Sequence, residues 1–187
     1  MSVKAVMENN VEKLNVEFLQ ACRDALLQDQ VYIDNYCKDN FQIVVNGLWA
    51  ALTDGIHALH GLQSKGKGSL TYLQFSFLMS GTFSNEHLLK IDFYDDRFYG
   101  DPYEIDCYWD YSYLFLDQVQ RMEKMISDVR RKIVKVMDYE LSERLPIYRL
   151  GQMQLLLELL KRIQAEEKIV SLLSAEADLE IKVIYGV

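Results

Sequence analysis

Residues 88–110 read LLKIDFYDDRFYGDPYEIDCYWD, and two runs within them place an apolar side chain at every second position. Leu89, Ile91 and Phe93 alternate with Lys90, Asp92 and Tyr94. Tyr103, Ile105, Cys107 and Trp109 alternate with Glu104, Asp106 and Asp110. A period of two marks a strand with one dry face and one wet face. Between the runs, Gly100-Asp101-Pro102 supplies turn formers. Upstream, Leu73, Phe75, Phe77 and Met79 repeat the pattern, followed by a turn around Gly81. Three such strands with short connections predict an antiparallel meander.

Outward from this centre the period becomes helical. Val11, Leu14, Phe18, Cys22 and Ala25 predict a helix over about Val11 to Leu27. Val45, Leu48, Leu52, Ile56 and Leu59 predict a second over Phe41 to Leu62, with Gln28–Asn40 as a connection. Ser64-Lys65-Gly66-Lys67-Gly68-Ser69 ends that helix and is a candidate hinge. Gly55, inside the second helix, weakens it slightly and permits close packing. On the other side, Phe115, Val119, Met122, Ile126, Val129, Ile133 and Val136 are spaced by fours and threes, the seam of a helix packed lengthwise. Ser142 and Pro146 predict a restart, and Met153, Leu157 and Leu160 a returning helix that ends near Ser174. Leu179, Ile181 and Val183 then predict a last strand on an edge of the meander. The expected fold is one α+β domain over residues 1–187, ordered α-α-β-β-β-α-α-β, with the sheet packed against a long helical hairpin and two N-terminal helices.

Composition bounds the function. The 187 residues are 50% hydrophobic and 12% aromatic, with 2 prolines and 9 glycines, which excludes an intrinsically disordered chain. A net charge of −8 repels nucleic-acid backbones and anionic membranes and attracts basic partners. The 3 cysteines, Cys22, Cys37 and Cys107, lack metal-ligand spacing. With no apolar leader and no run of the ~20 apolar residues that a membrane span requires, they point to a soluble cytoplasmic protein with free thiols. No Gly-rich phosphate loop, Gly-x-Ser-x-Gly elbow, Cys-x-x-Cys or His-Glu-x-x-His occurs, and no cofactor is implied.

The charge is unevenly placed. In Ile91–Gln118, eight acids (Asp92, Asp95, Asp96, Asp101, Glu104, Asp106, Asp110 and Asp117) face Arg97 alone, so these 28 residues carry −7 of the total −8. Strand alternation places Asp92, Glu104 and Asp106 on one sheet face, interleaved with aromatic rings. Carboxylates that steer and rings that supply contact area suit an interface for a basic protein. The expected function is therefore a non-catalytic interaction module of inhibitor or immunity type, using Asp92, Tyr94, Asp95, Asp96, Glu104, Asp106 and Tyr108. The competing reading is an enzyme or ligand-binding domain. There Asp54, His57 and His60, on one edge of the second helix, form a histidine–carboxylate site. No Asp-x-Asp-x-Asp-Gly calcium loop accompanies the acids. Lys124, Arg131 and Lys135, with Arg121 and Lys132 nearby, read as a solvated helix face with Lys124–Asp128 and Asp128–Lys132 pairs. The fours-and-threes seam also allows a helix-mediated dimer.

Overall fold

A computed structural model describes residues 3–78, 87–133, 135–176 and 180–186, with side chains from residue 10 onward. The protein is α+β. Its elements are α1 (Val3–Gln63), β1 (Tyr72–Phe77), β2 (Leu88–Tyr94), β3 (Asp106–Asp110), α2 (Gln118–Lys132), α3 (Asp138–Ser142), α4 (Leu145–Gln164), α5 (Glu167–Ser174) and β4 (Lys182–Gly186). Met79, the turn at Gly81 and Leu179 lie outside the described residues. No helix among those residues is long and apolar enough to cross a membrane. The chain forms two compact units, one from Met1–Asn35 with Leu114–Leu156, the other from Tyr36–Tyr113 with Leu157–Val187.

Gln28–Asn40 is helical, not a connection. Two helices meet there at a kink, Asn40 (φ −122°, ψ 15°), just before the start expected for the second helix at Phe41, and Asn40 Nδ2 donates to the Tyr36 carbonyl at 3.1 Å. The buried line of α1 runs through Cys22, Ala25, Asp29, Ile33 and Cys37. A carboxylate in that line, at Asp29, is what interrupts the apolar period while leaving the helix intact.

In the first unit, Leu14, Phe18, Cys22 and Ala25 of α1 pack on Met125 and Val129 of α2, Ile133, Leu141 of α3 and Tyr148 of α4. Only part of the predicted seam belongs to this helix. α2 stops at Lys132, Ile133 is extended, and Val119 is exposed. Met122, Ile126 and Val136 flank the same core, so the stripe is largely used within the chain. The restart occurs where Pro146 sits in the first turn of α4, a place that needs no proline N–H. Asp29, fully buried, accepts from Arg121 Nε (2.6 Å), the Tyr148 hydroxyl (2.6 Å) and Gln152 Nε2 (2.9 Å). Arg121 thus belongs to the interior. Of the remaining cations, Arg131 pairs with Asp128 (3.6 Å) and Lys132 with Glu17 (2.8 Å), so that Asp128 and Lys132 each have a partner other than the i, i+4 one expected.

In the second unit the strands lie in the order β3-β2-β1-β4. β1–β2 and β2–β3 are antiparallel, with Phe75 opposite Ile91 and Ile91 opposite Cys107. β4 does occupy an edge, but it runs parallel to β1. The sheet is mixed because the chain reaches β4 through helices, and a parallel neighbour requires such a crossover. Leu73, Phe75, Phe77, Leu89, Ile91, Phe93 and Trp109 form the dry face. The later part of α1 meets it: Gly47 approaches the Trp109 indole, and Gly55 lies against the Phe93 ring. α1 ends at Gln63, and Gly66, in the turn that follows, has a φ of +103°, a left-handed conformation that suits glycine after a helix.

A β-carbon at Gly55 would collide with Cε2 and Cζ of Phe93, a ring with 0% exposure that cannot swing away. Ala is the better helix former by ~1 kcal/mol. Gly55→Ala should nevertheless lower stability by about 1–3 kcal/mol, the usual cost of overpacking, as read by urea denaturation. A variant as stable as the parent would show that helix and sheet are not this close.

Candidate functional site

The acidic segment folds in two parts, one inside the protein and one at its surface. Lys67, from the Gly-rich stretch after α1, lies inside: its side chain and that of Asp101 are both 0% exposed and form an ion pair. Lys67 Nζ also donates to the carbonyls of Phe93 (3.0 Å) and Tyr103 (2.8 Å). Its three donors are thereby used. Asp101 accepts from the backbone N–H groups of Tyr103 (2.9 Å) and Asp95 (3.2 Å). Burial pushes the Asp101 carboxyl up, but Lys67 and these N–H groups leave it below its ordinary value.

Asp95 is also buried, at 1% exposure. It accepts from the N–H groups of Gly68 (3.1 Å) and Arg97 (3.0 Å) and from the Arg97 guanidinium. The Arg97 bonds, against desolvation and with help from Gly68, lower its pKa from 3.8 to about 2. Ser64–Ser69 is therefore anchored through Lys67 and Gly68, and the hinge expectation gives way to a clamp.

The clamp fixes the loop from Asp95 to Tyr103, and the loop carries rings outward. Phe98 has φ +51°, a left-handed conformation uncommon for a bulky residue. Its ring lies 4.7 Å from Tyr72, 5.1 Å from Tyr94 and 4.0 Å from Tyr99, centroid to centroid. Tyr99 is 71% exposed, and its hydroxyl donates to Gln74 Oε1 at 3.0 Å. Lys182 sits 5.2 Å over the Tyr72 ring. Tyr94 is half-buried, its hydroxyl pKa raised by burial and then by the Asp92 charge.

Beside the rings lies the wet face of β2 and β3. Asp92 is directly opposite Asp106, and Lys90 is opposite Tyr108. The like-charge pair is relieved by Lys90, whose Nζ lies 2.7 Å from Asp92. That bond holds the Lys90 ammonium above its usual range against desolvation, and the charges of Asp92 and Asp106 add to it. Asp92 is consequently 6% exposed and neutralised. Asp106 is exposed and accepts from the Tyr108 hydroxyl at 2.7 Å. Asp96, Glu104 and Asp110 are exposed as well.

Of the seven residues the sequence singles out, Asp96, Glu104, Asp106 and Tyr108 are at the surface and Tyr94 partly so. Asp92 and Asp95 are not: each is covered and engaged by its own cation. Sequence reasoning passed over Lys67 and Asp101. The one signal available was a lysine between two glycines, which lets the backbone come close enough to bury an ammonium.

Asp54, His57 and His60 all lie on the surface of α1. His60 bonds Glu176 at 2.5 Å, a partner other than Asp54. No group of three His, Cys, Asp or Glu side chains among the described residues could hold a metal ion. Cys22, Cys37 and Cys107 form no disulfide, and burial pushes Cys22 and Cys107 up to about 12, away from the nucleophilic thiolate.

Comparison of the chain with known protein families, with curated proteins and with solved structures finds no match.

Two outcomes follow from the clamp. Lys67→Met leaves Asp101 buried without its counter-ion and should cost about 3–5 kcal/mol in chemical denaturation. Asp95, with a folded-state pKa depressed from 3.8 to about 2, contributes stability that is complete above its unfolded value. That contribution fades as pH falls through its folded value. Asp95→Asn should thus be less stable than the parent at neutral pH, with the gap closing below about pH 4. A gap independent of pH would mean that the carboxylate charge is not what Arg97 and Gly68 hold.

Proposed function

We propose that the chain is a non-catalytic interaction module that binds a basic protein through the wet, acidic–aromatic side of its sheet, in the manner of an inhibitor or immunity protein. One observation carries this reading. Exposed carboxylates at Asp96, Glu104 and Asp106 accompany the exposed rings of Tyr99 and Tyr108, on a loop and strand braced from within by buried ion pairs. Bracing matters because a rigid surface loses less conformational entropy on association. Tyrosines on such a surface supply large contact area at low ordering cost, and unneutralised carboxylates accelerate encounter with a cationic partner. The covered acids, Asp92, Asp95 and Asp101, act in this reading as scaffold. The contact set is Asp96, Glu104, Asp106, Tyr99 and Tyr108, with Tyr94 at its margin.

Immobilised protein should capture from its source cell a protein of high isoelectric point, and added salt should weaken the capture. The combined variant Asp96→Asn, Glu104→Gln, Asp106→Asn should fold normally and associate about tenfold more slowly with that protein, since outer charges act chiefly on the encounter rate. Unchanged association kinetics in the folded variant would exclude this face as the contact.

A further inference from the structure

We infer that the opposite edge of the sheet is a second, separate docking site, one that takes an extended peptide by strand addition to β4. Lys182 donates its N–H to the Thr71 carbonyl at 2.9 Å, and β4 runs parallel to β1 with Lys182 opposite Tyr72. In a parallel ladder, bonding residues alternate along the strand. Lys182, Ile184 and Gly186 therefore turn their N–H and C=O groups toward β1, and Val183 and Tyr185 turn theirs toward the open edge. Among the described residues β4 is the last strand of the sheet on this side, so an arriving strand meets main-chain donors and acceptors already aligned.

A groove adjoins that edge. It measures about 590 Å³, and its apolar lining comes from Val170 and Leu173 of α5 together with Ile181 and Val183. Val183 lies opposite Leu73, and thus on the dry side of the sheet. Val170 and Val183 are 49% and 37% exposed. A strand laid against β4 sends alternate side chains to that side, where these residues receive them. Gln164 also lines the groove. Its Oε1 accepts from the Tyr185 hydroxyl at 2.6 Å, whereas its Nε2 is buried with no hydrogen-bond partner.

The occupant is an extended segment with aliphatic residues at alternate positions and a lysine or arginine near one end. Glu180 is the charged residue of the lining, and it is acidic and exposed. Pairing of a second copy through β4 is a separate outcome of the test.

The test uses an acetylated peptide that alternates Val and Thr with Lys at both ends, and two analogues N-methylated at either the Val or the Thr amides. Binding is followed by amide NMR on the intact chain. Shifts centred on Ile181–Tyr185, Val170 and Leu173 are expected. One analogue should bind about tenfold more weakly and the other about as the parent peptide does, because only one set of amides faces β4. Val170→Asp, a substitution at an exposed position, should cost about tenfold as well. Absence of binding, shifts elsewhere, equal affinity of the two analogues, or dimerisation through β4 in sedimentation would each overturn the inference.

Discussion

A buried ammonium, that of Lys67, is the constraint on which the second unit turns. A charge with no solvent exposure is tolerated only when its hydrogen bonds are complete and its counter-ion is equally enclosed. Asp101 and the carbonyls of Phe93 and Tyr103 meet that demand. In doing so they tie the end of β2, the loop after it and the approach to β3 to the stretch that follows α1. Asp95 repeats the arrangement one layer outward, with Gly68 and Arg97 as donors. The left-handed Phe98 sits between these two anchored acids. Its backbone strain persists because both flanks are fixed, which is the condition under which such strain survives folding. Rigidity at the exposed Tyr99 is thus a consequence of electrostatics beneath it.

The first unit uses the same physics with the sign reversed. There the enclosed charge is a carboxylate, Asp29, and the donors are a guanidinium, a phenol and an amide from α2 and α4. Gln152 extends the set by accepting from Gln118 and Arg149. Around this node the contacts are aliphatic and adaptable, from Leu14 to Met125. A cluster of that kind fixes helix identity poorly, since many registers bury similar area. Three directional bonds onto one carboxylate select a single register of α1 against α2 and α4. The net worth of the bonds in stability is modest next to this selection, because desolvating the ions offsets much of the Coulomb gain.

Both nodes explain which parts of the architecture were legible in the sequence. Strand positions and faces followed from a period of two, because apolar alternation directly records a dry side. Elements interrupted by a buried charge were misread. Asp29 breaks the apolar line of the first helix, which therefore reads as ending at Leu27 although it runs on to the kink at Asn40. Asp92 and Asp95 count as surface charge in any linear tally, yet each has a cation positioned by tertiary structure or by the strand pleat. Lys67 reads as a flexible Gly-Lys-Gly segment, since nothing local reveals Asp101 thirty-four residues on. The parallel course of β4 was hidden for a different reason: alternation specifies which side is dry but not which way the neighbour runs.

The same distinction limits what charge composition says about binding. A segment at −7 loses three of its acids to internal partners, and what confronts a ligand is a smaller set, dispersed among tyrosines. This smaller set is the more discriminating one. A dense anionic patch attracts any cation and holds its own counter-ions, whereas a few carboxylates spaced by rings favour a partner whose positive groups and apolar area match both. The two edges of the sheet extend the contrast. β3 presents Asp106, Tyr108 and Asp110 along one side, where like charges discourage pairing with a second copy. β4 itself carries no acid: Lys182 is turned over the Tyr72 ring, and Val183 faces a groove. A strand without like charges beside an apolar trough, in a protein that lines the other edge with acids, is the one at which strand pairing is physically permitted.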